Sequence, residues 1–177
     1  MKSNYEIATV TDLKKYCMDI RLEALNNRQA GKKKVYFAGP WFDKKSKLLL
    51  KTIKYICEVT TRADYDIIFP DEYNFDLPSK TYKNNIDLIT ACDVVIAIIA
   101  SKDVGTAYEI GYAKALGKQI VLLGCDETCF EKTTNIMLAF AADKCITLKD
   151  LQDFLLGKCK NFIKIVDSWE NKEWIFL

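Results

Sequence analysis

The stretch from Asp93 to Gly124 constrains the fold more than any other part of the chain. Its sequence, DVVIAIIASKDVGTAYEIGYAKALGKQIVLLG, contains two apolar runs separated by a polar loop and a helix-like segment. The first run, Val94 to Ala100, shows no polar alternation, which is typical of a strand covered on both faces. The pattern predicts strand, loop, helix and strand, the βαβ crossover of a parallel sheet.

The rest of the chain repeats this alternation of strands and helices. Strands are predicted at Lys34–Ala38, Tyr65–Phe69, Val94–Ala100, Gln119–Leu123 and Lys144–Thr147, and helices at Lys44–Thr61, Thr81–Ala91, after the loop Ser101–Gly105, at Asn135–Ala142 and at Leu148–Val166. This order predicts an α/β fold with a doubly wound parallel sheet of about five strands, in the flavodoxin-like order 2-1-3-4-5. One domain over 32–177 is expected, after an N-terminal helical extension over 1–31 with a helix from about Thr11 to Asn27.

The predicted strand order brings two loops together at the carboxyl edge of the sheet, where open α/β sheets bind ligands. The loop after strand one contains Gly39, Trp41 and Phe42, and the loop after strand three leads to Glu109. The two aromatic side chains could stack on a planar base or a sugar face, or could belong to the core. The sequence therefore predicts a ligand site between the two loops.

Glu109 has two interpretations. Thr106 to Glu109 reads T-x-x-E, the spacing of a helix capping box, which favours a structural role. The alternative is a nucleophile: Asp103 lies six residues upstream in the same loop, and the amino end of a helix keeps a carboxylate ionised. Asp103 taken alone is typical of a solvated turn residue.

Composition and spacing exclude several classes of function. The chain has no histidine, which excludes Ser–His and Cys–His catalysis within it, and its seven scattered cysteines indicate free thiols in a reducing compartment rather than a zinc site. Gly105 and Gly111 allow a tight loop, but VGTAYEIG lacks the spacing of a phosphate-binding motif. A net charge of +2 gives no indication of a nucleic-acid partner. The longest aliphatic run, Val94 to Ala100, is too short for a membrane span. We expect a soluble cytoplasmic protein.

Four segments resemble one family: VYFAGPWF, NNIDLITACDVVIAIIA, DVGTAYEIGYAKALGKQIVLL and TNIML. Their order and spacing, over residues 33 to about 147, are similar to those of the nucleoside 2-deoxyribosyltransferase family. The resemblance implies a flavodoxin-like fold and exchange of the base of 2′-deoxynucleosides. Residues 1–31 have no counterpart in short members of the family, and the ending WENKEWIFL departs from the family's usual C-terminus.

The resemblance also implies roles for individual residues. Glu109 matches the nucleophile of the family's E-[IL]-G-Y-A motif, Asp103 its loop aspartate, and Tyr36 its first-strand tyrosine, whose hydroxyl could orient the nucleophile. Substrate-binding positions of the family fall on Phe42, Asp71, Glu72 and Asn85, and on Asn135 and Met137, which match an Asn-x-Met element supplied by a neighbouring subunit. Gly39, Trp41 and Gly105, in the two loops of the predicted site, are also expected to contact substrate.

The implied reaction is a double displacement through a covalent 2-deoxyribosyl intermediate on Glu109, without a metal or organic cofactor. The expected partners are 2′-deoxynucleosides, free nucleobases and further copies of the chain, in a dimer or hexamer with shared active sites. Three alternatives stay open: a hydrolase of 2′-deoxynucleoside 5′-monophosphates, a non-catalytic nucleoside- or nucleotide-sensing module, and an interaction domain in which T-x-x-E only caps a helix.

Overall fold

Five parallel strands form the sheet, in the order β2-β1-β3-β4-β5, as the sequence predicts. The strands are β1 (Lys33–Ala38), β2 (Tyr65–Ile68), β3 (Val94–Ile98), β4 (Gln119–Gly124) and β5 (Lys144–Thr147). This computed structural model describes residues 32–41, 44–60, 65–73, 77–99, 103–130, 135–160 and 162–163. The predicted N-terminal helical extension and Phe42 lie outside the described residues.

Helices connect consecutive strands and cover both faces of the sheet. They are α1 (Lys44–Thr60), α2 (Pro78–Ala91), α3 (Val104–Ala115), α4 (Ile136–Ala141) and α5 (Leu151–Leu155), with 3₁₀ turns at Pro70–Tyr73, Glu127–Phe130 and Leu148–Asp150. No helix of the described part of the chain is both long enough and apolar enough to cross a membrane.

Two predicted elements differ from the structure. The helix predicted at Thr81–Ala91 begins earlier, at Pro78, because proline fits a first-turn position, at which a missing N–H costs nothing. The predicted long helix Leu148–Val166 is wrong: a 3₁₀ turn leads into α5, which ends at Leu155. Gly157 follows with φ of 68°, a left-handed conformation that commonly ends helices.

Alternation along β1 divides its side chains between the two faces of the sheet. Val35 and Phe37 belong to an apolar cluster that also contains Ile53 of α1 and Leu151 of α5. Tyr36, which lies between them, is also fully buried, and α3 packs on β1, β3 and β4. Because side chains alternate along a strand, Tyr36 faces the α3 side of the sheet.

Two aspartates tie neighbouring strands together at the amino edge of the sheet. Each comes directly before a strand and accepts a hydrogen bond from the backbone of an adjacent strand: Asp93 Oδ2 from Lys34 N at 2.9 Å, and Asp143 Oδ2 from Ile120 N at 2.7 Å. Lys114 Nζ also donates to Asp143, at 2.8 Å. These bonds stabilise the strand pairs β1–β3 and β4–β5 at the edge opposite the predicted ligand site.

Substituting Asp143→Ala removes the acceptor for both Ile120 N and Lys114, so we expect a loss of about 1–2 kcal/mol in the free energy of unfolding. Urea denaturation measures this loss. The matched control is Asp87→Ala, which breaks an exposed ion pair with Lys83 within α2 and should change stability little. Equal losses in the two variants would contradict a strand-joining role for Asp143.

Candidate active site

A cleft of about 690 Å³ opens at the carboxyl edge of the sheet. The loop after β1, helix α1, the turn after β2, and the first parts of α2 and α3 surround it. Seven of the predicted site residues line it: Gly39, Trp41, Asp71, Asn85, Asp103, Gly105 and Glu109. The volume falls within the range of small-molecule sites, and the position is the one at which open α/β sheets bind ligands.

Glu109 of α3 is hydrogen-bonded to Tyr36 of β1. The Tyr36 hydroxyl donates to Glu109 Oε1 over 2.8 Å. The bond forms because Tyr36 faces the α3 side of the sheet and Glu109 lies in the second turn of α3, toward the cleft. Burial, together with the nearby Glu109 charge, raises the pKa of Tyr36 well above 10, so the phenol remains a proton donor.

The environment of Glu109 raises its pKa to about 7. Burial is the main cause, and it outweighs the hydrogen bond from Tyr36, which lowers the pKa; the charge of Asp103 raises it further, and a hydrogen bond with Asn85 lowers it. The amino end of the helix was expected to favour the ionised form of Glu109, but removal of the carboxyl group from water has the larger effect and favours the neutral form. Near pH 7 the carboxyl group exists in both protonation states.

Asp103, not Thr106, caps the amino end of α3. Asp103 Oδ2 accepts hydrogen bonds from Thr106 N at 2.6 Å and from Thr106 Oγ1 at 2.7 Å. The interpretation of Thr106 and Glu109 as a capping box is therefore wrong, and so is that of Asp103 as a plain turn residue. Thr106 is the third residue of the helix, the position whose N–H a side-chain cap satisfies, and Glu109 lies one turn further on.

Glycines at two positions leave room for the site. A Cβ on Gly105 would lie 3.1 Å from Asp103 Oδ2, in the space that the capping carboxylate needs. A Cβ on Gly39 would lie 2.9 Å from the ring of Trp41, which crosses the loop after β1 at that point. A larger residue at either position would displace a side chain that lines the cleft.

A lysine that was not predicted as a site residue contacts two residues that were. Lys54 Nζ of α1 donates to Asp71 Oδ2 and to Glu72 Oε1, both at 2.9 Å. Lys47, Lys51 and Lys54 all line the cleft. Their spacing of four and three residues places them on one face of the helix, a signal that the sequence contains.

Asn135 and Met137 do not line this cleft. Asn135 caps α4 by accepting a hydrogen bond from Met137 N at 2.8 Å, and Met137 is 75% exposed. Their predicted role lies in the pocket of a neighbouring subunit, so it stays a prediction.

Two sequence comparisons point to one family. The chain matches the family model of nucleoside 2-deoxyribosyltransferases over residues 35–147. A nucleoside deoxyribosyltransferase of Lactobacillus leichmannii is 29% identical over 145 residues, which cover 72% of this chain and 92% of that protein.

Two solved structures share the fold. A 2-deoxyribosyltransferase of Bacillus psychrosaccharolyticus aligns with a TM-score of 0.58 at 20% identity, over 69% of this chain and 90% of that one. A CMP N-glycosidase of Clostridium botulinum aligns with a TM-score of 0.52 at 24% identity, over 71% of this chain and 96% of that one.

The family match begins at Val35 in β1, ends at Thr147 in β5, and includes both Tyr36 and Glu109. It therefore includes residues of all five strands and both partners of the Tyr36–Glu109 hydrogen bond. This protein belongs to the nucleoside 2-deoxyribosyltransferase family, a family of pentosyl-transferring enzymes.

Proposed function

We propose that this protein transfers the 2-deoxyribosyl group of a 2′-deoxynucleoside from one nucleobase to another, with Glu109 as the nucleophile. The observation that carries the proposal is the Tyr36–Glu109 hydrogen bond, which holds one carboxylate in a cleft that is large enough for a nucleoside. A carboxylate that is buried and fixed by a hydrogen bond is prepared to attack a sugar carbon.

In the first step, an oxygen of ionised Glu109 bonds to C1′ as the bond from C1′ to the base nitrogen breaks. The bonding electrons leave with the base, which takes a proton. The product is a 2-deoxyribosyl ester of Glu109, reached through an oxocarbenium-like transition state as in retaining glycoside chemistry. In the second step, a nitrogen of another base attacks C1′ from the vacated face, loses its proton and releases Glu109.

Asp103 is the proposed carrier of these protons. Its Oδ2 is occupied by both bonds of the helix cap, whereas Oδ1 takes no part in the cap. Asp103 lines the cleft beside Glu109, and its charge acts on the Glu109 carboxyl. Oδ1 is thus available to give a proton to the departing base and to take one from the arriving base.

Tyr36 and a neighbouring subunit complete the proposed site. The hydroxyl of Tyr36 orients Glu109 and favours its ionised form, the form that attacks. Asn135 and Met137 would contact substrate in the cleft of an adjacent copy, and the exposed Met137 side chain suits that role. The proposed enzyme is therefore at least a dimer.

Hydrolysis of 2′-deoxynucleoside 5′-monophosphates is the second candidate. The CMP N-glycosidase shares the fold, and the lysines at 47 and 51 line the cleft without a carboxylate partner among the described residues. These two ammonium groups are suited to binding the phosphate of a nucleotide. The loop after β1, Gly39-Pro40-Trp41-Phe42, contains no charged residue, which favours a substrate without phosphate.

Incubation with 2′-deoxycytidine and adenine should yield 2′-deoxyadenosine, detected by chromatography. With 2′-deoxycytidine alone, mass analysis of the proteolysed protein should show a deoxyribosyl adduct on the peptide that contains Glu109. Glu109→Gln should abolish both signals, because an amide is a poor nucleophile. Release of free cytosine from 2′-deoxycytidine 5′-monophosphate, with no transfer in the first assay, would favour the hydrolase. An adduct on another residue would contradict the role of Glu109.

Glu109→Gln should also stabilise the protein above neutral pH. The carboxyl ionises near 4.5 in the unfolded chain and near 7 in the folded protein, so the wild type loses stability as pH rises between these values. At pH 8 the variant should gain roughly 1–3 kcal/mol over the wild type, and near pH 4.5 the gain should vanish. Urea denaturation at both pH values measures it. A less stable variant at pH 8 would show that Glu109 is structural.

Tyr36→Phe should move the acid limb of the pH–rate profile upward. Activity needs ionised Glu109, so kcat/KM should fall as pH drops through about 7. Loss of the Tyr36 hydrogen bond, which lowers the pKa of Glu109, should shift that midpoint up by about one unit or less. The control is Tyr55→Phe, a change at an exposed tyrosine of α1. An unchanged midpoint in Tyr36→Phe would refute this coupling.

A further inference from the structure

An ion cluster forms part of the cleft wall. Lys54 of α1 bridges two adjacent carboxylates in the turn after β2, with its Nζ 2.9 Å from both Asp71 Oδ2 and Glu72 Oε1. The ammonium group also lies 4.9 Å from the centre of the Phe69 ring. Burial alone would lower the pKa of Lys54, but the bonds to Asp71 and Glu72 outweigh it and raise the pKa. The Lys54 ammonium group is thus held from three sides, by Asp71, Glu72 and the Phe69 ring.

The second oxygen of Asp71 has no donor. Asp71 lines the cleft, Lys54 holds Oδ2, and Oδ1 is buried without a hydrogen-bond partner in the described part of the chain. Leaving a buried acceptor unpaired destabilises the folded protein. Such atoms are rare in folded proteins and require an explanation, of which a ligand that brings the missing donor is one.

A second unpaired acceptor lies on the neighbouring helix. Asn85 of α2 lines the cleft and forms a side-chain hydrogen bond with Glu109, which as a carboxylate accepts from the amide nitrogen. That bond leaves Asn85 Oδ1, which is buried and lacks a partner among the described residues. Asn84 Nδ2 donates to Tyr73 O at 3.3 Å and so joins α2 to the turn that contains Asp71.

We propose that Asp71, held by Lys54, accepts a hydrogen bond from the exocyclic amino group of the nucleobase, so that the enzyme selects adenine and cytosine over their oxo counterparts. Asn85 Oδ1 is a second acceptor for an exocyclic amino group. Lys54 is a positioning residue: it touches Asp71 rather than the base. This inference rests on the proposed transfer reaction and adds its base specificity.

The selectivity follows from the chemistry of the two groups. An amino group donates two hydrogen bonds, whereas an oxo group in its place only accepts. An ionised carboxylate also only accepts. An oxo group would therefore leave Asp71 without a donor and would place its own lone pairs against those of the carboxylate. Because Lys54 fixes Oδ2 of Asp71, its loss would free the carboxylate to turn, and Oδ1 would no longer be held as the acceptor for an amino group.

The test is a competition between adenine and hypoxanthine, which share a ring system and differ in the group at position six. With 2′-deoxycytidine as donor, the ratio of initial rates for 2′-deoxyadenosine and 2′-deoxyinosine should be about tenfold or more in the wild type. Lys54→Met should bring the ratio close to one. Asp71→Asn, whose amide can turn its NH₂ to an oxo group, should shift the ratio further toward hypoxanthine.

The matched control is Lys114→Met. It breaks an ion pair of similar length, 2.8 Å to Asp143, at the opposite edge of the sheet, and should keep the wild-type ratio. Melting curves verify that each variant is folded, and Asp71→Asn tests the inference if Lys54→Met does not fold. A wild type that favours hypoxanthine, or a folded Lys54→Met with an unchanged ratio, would overturn the inference.

Calorimetry separates this inference from the proposed reaction. The wild-type protein should bind free adenine more tightly than hypoxanthine whether or not it transfers deoxyribose. Tighter binding of adenine without any transfer would support base selection by Asp71 and refute the transferase. Transfer with equal affinity for the two bases and equal rates would support the transferase and refute base selection.

Discussion

The hydrogen bond between Tyr36 and Glu109 is the contact on which the site depends. It joins an inner strand of the sheet to the helix that follows β3, so its geometry requires both the register of β1 against β3 and the packing of α3 on β1. Each of these comes from burial of apolar side chains. The sheet thus acts as a rigid support that presents one carboxylate to a cleft.

Stability and chemistry oppose each other at this carboxylate. Burial makes ionised Glu109 costly, and the bonds from Tyr36 and Asn85 recover only part of that cost, so the pKa stays near 7. Asp103 caps α3, and Gly105 leaves room for the capping carboxylate, so Glu109 is not needed for the cap. Asp103 and Glu109, six residues apart, thus have separate roles: one caps the helix, and the other is available for chemistry.

Sequence reasoning was correct where the signal is local or periodic. The apolar runs predicted five strands and their order. Asp103, Asn85 and Glu109 line one cleft, and buried Tyr36 is hydrogen-bonded to Glu109. The capping-box interpretation of T-x-x-E was wrong, because it requires Thr106 as the N-cap, whereas the N-cap of α3 is Asp103. Sequence reasoning was also wrong about the last helix, since Gly157 ends helical structure that the apolar pattern would continue. Phe42 and the N-terminal extension lie outside the described residues.

The sequence by itself determined the element order, the crossover that carries Glu109 and the family, since these depend on patterns within short segments. Only the tertiary structure decided what Glu109 contacts, how burial sets its pKa, and that Lys54 binds Asp71 and Glu72. The physical reason is distance along the chain. Residue 36 meets residue 109, and residue 54 meets residue 71, only after strands and helices have packed, and solvent exclusion is a property of the packed whole.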